Sequence, residues 1–399
     1  MAKDRPLPPV WLMGMGFLPL GASGSIFLIT VPQLLAANHV PEAQIASVTA
    51  VALLPGFISF LLGPLLDWRF SRRAYAVAFA ILGALCIFGA LIFIRNLQLL
   101  SVMLFVGNTG ISLCVSAVGG WFGNLTRTED KGALGAWFTV SNLGAGGVVA
   151  TIAIYLLRDL PYAVGAALLC LTIVMILPLY FLTPCPPADD RLASESFRDF
   201  TRDVLALLKR STVLWALLIF LMPSASFALT NTLGGLGHDF STSEKMVGLI
   251  GGVGVAVAGV VGSLIVPELA KRIAVRPLYL LVGGFGAAFT LSLMLFHKTP
   301  FTFGVAMLGE NAFQAMAFSV ANALTLRTIG HDNPLAATQF ALLTGATNLP
   351  LSYMQVIDGH AYGWNGVNGS YTADALISGA ACLVLGLLLW ALHGRIPET

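Results

Sequence analysis

"GPLLDWRFSRRAY", residues 63–75, places Asp67, Arg69, Arg72 and Arg73 in one turn of a chain that is only 10% charged. Long apolar runs flank the turn on both sides. With 57% hydrophobic residues and a mean hydropathy of +0.85, the 399-residue chain has too little polar surface to cover a soluble globule. The apolar material falls in blocks of about 20 residues, enough to cross ~30 Å of hydrocarbon at 1.5 Å per residue. A barrel would instead alternate apolar and polar positions in segments of about 10 residues. The blocks are therefore read as membrane-crossing helices, and the charged turn as the end of one of them.

Twelve spans follow. Six lie near 11–37, 42–66, 74–94, 97–123, 132–157 and 161–182, and six near 212–236, 245–266, 277–296, 300–326, 334–357 and 372–393. This predicts an all-α integral membrane protein with an N-terminal six-helix bundle (1–182), a linker (183–211) and a C-terminal six-helix bundle (212–399). The linker, "TPCPPADDRLASESFRDFTRDVLALLKR", opens with prolines and mixed charge. Its second part sets Phe197, Phe200, Val204, Leu207 and Leu208 against Arg198, Arg202, Asp203 and Lys209 at helical spacing, which suits an amphipathic helix on the membrane surface or a plain tether between the two bundles. An even number of spans puts both termini on one side. Seventeen of the 21 Lys and Arg then share that side, and only Arg95, Arg158, Lys245 and Lys298 face the other, so both termini are expected in the cytoplasm. The net charge of +2 thus reports topology rather than a nucleic-acid partner. The stretch "MAKDRPLPPV" leads into a full-length span with no small-residue cleavage site, and reads as the start of a retained helix. The five cysteines show no paired or metal-ligand spacing, so no disulfide framework, metal site or cofactor is expected.

The halves resemble each other. "FLPLGASGS" aligns with "FLMPSASFA", "GPLLDWRFSRR" with "GSLIVPELAKR", and "GNT…TRTEDKGALGAWF" with "GEN…RTIGHDNPLAATQF". All three offsets lie near 200 residues, which argues for duplicated six-helix units.

Two such units in one orientation describe the major facilitator architecture. The opening stretch resembles that superfamily's signature between helices 2 and 3, glycine-x-leucine-x-aspartate followed by a basic cluster. Gly63, Leu65, Asp67, Arg72 and Arg73 match it, while Trp68 and Ser71 depart from it. The resemblance implies a cytoplasmic latch of Gly63, Asp67, Arg69, Arg72 and Arg73. In it Gly63 allows close helix approach and Asp67 faces the positive N-terminus of another helix. "HDNPLA" offers a receiver at the start of helix 11, with Asn333 as cap and Pro334 as first helical residue. Alternatively the arginines only enforce topology. Residues 300–370, with "ATQFALL" and a glutamate in span 10, resemble the peptide/acetyl-coenzyme-A transporter family of AmpG-like muropeptide permeases, acetyl-CoA carriers and siderophore importers. Span 4 departs from that family, carrying Gly119 and Gly120 before Trp121 where acidic residues are usual.

Glu310 reads as the acidic residue lying deep in a span. An ionised, unpaired carboxylate there costs several kcal/mol. It is therefore protonated, hydrogen-bonded between helices, or facing a wet cavity, and proton coupling and a structural role both fit. Neutral groups expected around a substrate cavity are Ser23, Ser25 and Gln33 in span 1, Asn108, Thr109 and Ser112 in span 4, and Ser226, Thr230 and Asn231 in span 7. Asn311 and Gln314 in span 10 and Gln339, Thr344 and Asn348 in span 11 complete the set. Trp121, Trp137 and Phe138 suit either ring stacking on a substrate or anchoring at the membrane interface. No arginine lies mid-span, which disfavours a highly charged anion. Neither an H-E-x-x-H motif nor a nucleophile elbow is present, so an enzyme is not expected. The expectation is a monomeric secondary transporter of the bacterial inner membrane. It would import a bulky amphipathic solute with protons, by AmpG-like muropeptide, siderophore or acyl-CoA chemistry, with lipid and a small-molecule solute as its partners.

Overall fold

The computed structural model describes residues 7–186 and 197–392; the first part of the linker, including Arg191, and the terminal Lys3, Arg5 and Arg395 lie outside them. No strand occurs among the described residues. The first six helices are α1 (Val10–Ala37), α2 (Ala43–Asp67), α3 (Arg72–Ile92), α4 (Leu97–Leu125), α5 (Thr128–Asp159) and α6 (Tyr162–Leu182). After the linker helix (Phe197–Leu208) come α7 (Ser211–Leu221), α8 (Lys245–Arg272), α9 (Val275–Leu293), α10 (Pro300–Ile329) and α11 (Ala336–Ala391). Helix starts follow local chemistry. Ser71 accepts a hydrogen bond from the Ala74 amide at the head of α3, and Asn96 accepts from Leu99 at the head of α4.

Two elements differ from the sequence expectation. The seventh span is α-helical only to Leu221. Pro223 disfavours the helical conformation in the residue before it, and Met222 is extended (φ −80°, ψ 145°). The chain then passes through a left-handed Phe227 (φ 49°) into short 3-10 turns at Ala228–Asn231 and Leu233–Phe240. Spans 11 and 12 form one 56-residue helical run, broken only at Asn365 and at Gly366 (φ 57°). A straight run of that length would extend about 84 Å, far beyond one bilayer crossing. α11 is thus two crossing arms joined at a glycine bend, which completes twelve spans. Proline also reshapes α1, which tightens to 3-10 geometry at Met15–Phe17 before Pro19 and widens to a π turn at Ile26–Thr30 before Pro32.

By internal contacts the chain forms two compact units. One comprises residues 1–127, 141–207 and 329–345; the other comprises 128–140, 208–328 and 346–399. The beginning of α11 thus belongs with α1–α4, and the beginning of α5 with α7–α10. In the second unit Leu229, Leu233, Phe240, Phe303, Met307, Val367 and Tyr371 pack as one buried apolar cluster around the bend of α11.

Candidate functional site

The charged turn that ends α2 is a fully occupied carboxylate cradle. Asp67, 7% exposed, receives the Thr338 amide at 2.7 Å and the Thr338 hydroxyl at 2.8 Å on Oδ2. Its Oδ1 receives the Arg72 Nε at 2.8 Å and the Ala337 amide at 3.3 Å. The two amides belong to the first turn of α11, whose unsatisfied N–H groups carry partial positive charge. Arg72 extends the contact, donating from Nη2 to the carbonyls of Asn333 and Pro334 at 2.9 and 2.8 Å. Asn333 was expected to cap a helix beginning at Pro334, but α11 begins at Ala336; Asn333 instead takes the Leu335 amide on its side chain at 3.0 Å in the turn before the helix, and it also donates to Gln339 at 2.8 Å. Asn124 at the end of α4 donates to the Asn333 carbonyl at 3.0 Å.

Packing lets these bonds form. A Cβ at Gly63 would stand 2.9 Å from that of Ala341, and one at Gly120 only 2.4 Å from the backbone nitrogen of Ala337. Arg73 turns the other way, donating to the Thr183 carbonyl at 2.7 Å with its guanidinium 5.6 Å from the Trp121 ring centre. Arg69, left-handed at φ 67°, lies over the Trp68 ring. In the second unit Lys131, 1% exposed, donates to the carbonyl of Leu326 at 2.9 Å near the C-terminal end of α10, where a cation complements the helix dipole.

A carboxyl group cluster forms a second site. Glu310 is fully buried, and its Oε1 lies 2.5 Å from the hydroxyl of Thr290 on α9. That hydroxyl also lies 3.0 Å from the Gly286 carbonyl. Asp358 and Asp374, on the two arms of α11, are 1% and 3% exposed and close enough to act electrostatically on Glu310. Glu310 Oε2, both Asp358 carboxyl oxygens, Asp374 Oδ1, the Tyr371 hydroxyl and the Ser378 hydroxyl are buried without a hydrogen-bond partner. Glu310 was expected to be the acidic residue deep in a span; the structure gives it two companions. Asp358 and Asp374 fall at the expected span ends, and they are buried because helix continues to Asn365 and resumes after Gly366.

The sequence profile described as Major Facilitator Superfamily matches residues 13–334. The chain belongs to the Major Facilitator Superfamily. Among solved structures it is similar to the proton:xylose symporter XylE bound to 6-bromo-6-deoxy-D-glucose, at 16% identity, with a TM-score of 0.71 over 98% of this chain and 95% of that one. It is also similar to FucP in the outward conformation, at 15% identity and a TM-score of 0.69 over 95% and 97% of the two chains. A third is a bacterial homologue of the iron transporter ferroportin, at 16% identity and a TM-score of 0.64 over 95% and 100%. No curated protein sequence matches the chain. As a superfamily member it is a multi-pass membrane protein in a family of transporters.

The superfamily signature residues Gly63, Asp67 and Arg72 thus meet at one place, whereas the neutral polar residues expected at a substrate cavity divide. Ser23, Ser25, Thr109 and Asn311 donate to carbonyls of their own helices at 2.7 to 3.0 Å. Asn108 ties α4 to α2 through the Ala52 carbonyl at 2.7 Å. Gln314 and Thr230 do come together, at 2.6 Å, and Gln314 also donates to the Phe227 carbonyl at 3.3 Å. Ser226 is buried with its hydroxyl unpartnered, while Gln33 and Asn231 are exposed and Ser112, Thr344 and Asn348 partly so. Gln339 accepts from Asn333 beside the Asp67 cradle. Trp121 is 1% exposed and donates to the Pro184 carbonyl at 2.8 Å, which makes it an interior packing residue of α4. Asn124, Lys131, Thr338, Asp358 and Asp374 were not singled out by sequence. Only Asp374 carried a usable signal, as an acid inside an expected span.

Proposed function

We propose that the protein is a secondary transporter that imports a bulky amphipathic solute across a bacterial inner membrane, with both termini cytoplasmic and the proton as coupling ion. Superfamily membership supplies the transport chemistry. The observation that supports the proton is the buried trio of Glu310, Asp358 and Asp374, with four of its six carboxyl oxygens unpartnered. Three ionised carboxylates cannot share such a space without cations, whereas protonated ones can. Proton bookkeeping at Thr290 agrees. Its single hydroxyl hydrogen cannot serve both Gly286 and Glu310. Both bonds are made when Glu310 carries a proton and donates it to Thr290, leaving Thr290 to donate to Gly286.

The neutral donors Gln314 and Thr230, together with the absence of mid-span arginine, suit a solute rich in uncharged hydrogen-bonding groups. With the AmpG-like resemblance over 300–370, that favours muropeptide-like ligands over acyl-CoA. The test has two stages. A thermal-unfolding panel with anhydromuropeptides, ferric siderophores and acyl-CoA identifies the ligand, since a compound binding only the folded state raises its stability. Proteoliposomes then compare wild type with Glu310→Gln. The variant is expected to exchange solute but not accumulate it against a proton gradient, and undiminished accumulation would rule out Glu310 as the coupling group.

A further inference from the structure

The two arms of α11 form a hairpin that buries an acid on each arm. Asp358 lies eight residues before Gly366 and Asp374 eight after it, so each stands about 12 Å from the bend at 1.5 Å per residue. Between the acids and the bend the arms meet at their backbones. A Cβ at Gly369 would run into the Ala361 carbonyl oxygen, and the Ser370 hydroxyl donates to the Asp358 carbonyl at 2.9 Å. The two carboxyls are within electrostatic range of each other, and both Asp358 oxygens and Asp374 Oδ1 are buried without a hydrogen-bond partner. Glu310 faces them from α10, and Tyr371 stands on the second arm, 2% exposed, with its hydroxyl unpartnered and within electrostatic range of Glu310. From α9 the neighbour is Thr290, which carries no charge. Among the described residues no cation acts electrostatically on any of the three carboxyls.

Resting on the proton reading of the buried trio, we infer that Asp358 and Asp374 are a proton-operated catch on this hairpin, closed while the pair holds a proton and parted when the last proton leaves. With one proton on the pair, the protonated carboxyl can donate to the ionised one, and the two groups attract. With none, two anions face each other where little water screens them. The contacts at Gly369 and Ser370 hold the arms together but supply no countercharge, so nothing in the hairpin offsets the repulsion. The O–H bond that breaks belongs to one carboxyl, and its proton passes to water admitted between the parting arms. Gly366 is the pivot, left-handed at φ 57° and with nothing within 4 Å of its Cβ position. Val367 and Tyr371 share their apolar cluster with Leu229 and Leu233 of the 3-10 turns after α7, so separation of the arms reaches the broken seventh span.

The test is a distance distribution between spin labels at Val356→Cys and Leu376→Cys in detergent-purified full-length protein, with Cys86→Ser and Cys185→Ser removing the half-buried native thiols. The labelled positions are 60% and 57% exposed, and each is two residues from one of the aspartates. With both aspartates intact, a single short distance is expected at about pH 5, and more than half of the population should move to longer distances at about pH 9. Asp358→Asn combined with Asp374→Asn keeps the shape and removes both charges, so the short distance should persist at both pH values. Identical distributions at the two pH values with the aspartates intact, or opening that survives in the double asparagine variant, would each overturn the catch. The measurement needs no transport, so the two readings separate. A hairpin that ignores pH, beside a Glu310→Gln variant that fails to accumulate solute, would remove the catch and leave Glu310 as the coupling group. A hairpin that opens, beside undiminished accumulation in Glu310→Gln, would do the reverse.

Discussion

Asp67 and Glu310 are both buried carboxyls, and they differ in what surrounds them. Asp67 accepts from a guanidinium, two helix-terminal amides and a hydroxyl, so its charge is answered by an ion pair and a helix dipole. Glu310 has one hydroxyl neighbour and two other carboxyls, so its charge is not answered. The first environment holds a fixed anion, and the second suits a site that gains and loses a proton. Thr290 is the smallest lever on the second. Thr290→Val keeps the shape but removes the partner of Glu310, and should destabilise the protein by about 1–2 kcal/mol, with Thr290→Ser restoring most of the loss. Equilibrium unfolding in detergent reads this directly, and an unchanged stability in the valine variant would mean that the Thr290 bond contributes nothing. At Thr338 the hydroxyl and amide both reach Asp67 Oδ2, so sequence matching of the α2 signature located the anion but not the residue that receives it.

At the scale of elements, the contact between α4 and the start of α11 depends on an absent side chain. A Cβ at Gly120 would meet the Ala337 nitrogen at 2.4 Å, and backbone cannot move aside as a flexible side chain can. Gly120→Val is therefore expected to cost about 1–3 kcal/mol of overpacking and to part α4 from α11, loosening the Asp67 bonds without touching a charge. Paired cysteine labels on α4 and at the start of α11 would report the separation, and an unaltered distance would show that the helices need no glycine there. The same pair of glycines illustrates what sequence could and could not show. Hydropathy and the near-200-residue repeat made the spans and their number legible. Gly119-Gly120 was visible only as missing acids in span 4, because its meaning lies in a helix more than 200 residues away. The end of α7 was foreseeable from Pro223 alone, yet the apolar run beyond it masked the break. The glycines and polar residues at the bend of α11 mimic a loop in sequence, which hides the burial of Asp358 and Asp374.

At the scale of the molecule, a transporter by alternating access must break and remake contacts at one membrane face. The cradle at Asp67 joins the end of α2 to the start of α11, elements from the two sequence repeats, by bonds short enough to hold and few enough to release. We propose that these bonds close the cytoplasmic face and that their rupture opens it. Asp67→Asn removes the countercharge of Arg72 and of the α11 terminus, and breaking such a buried pair costs roughly 3–5 kcal/mol. That is enough to overturn the few kcal/mol that separate a dominant conformer from one populated at about 0.1–10%. The most direct measurement is a distance distribution between spin labels at Phe70→Cys and Asp332→Cys, both exposed and neither bonded to Asp67, in reconstituted protein with Asp67 intact or changed to Asn. A single short distance with Asp67 and a shift of most of the population to longer distances with Asn is the predicted result. The same short distance in both proteins would contradict the account.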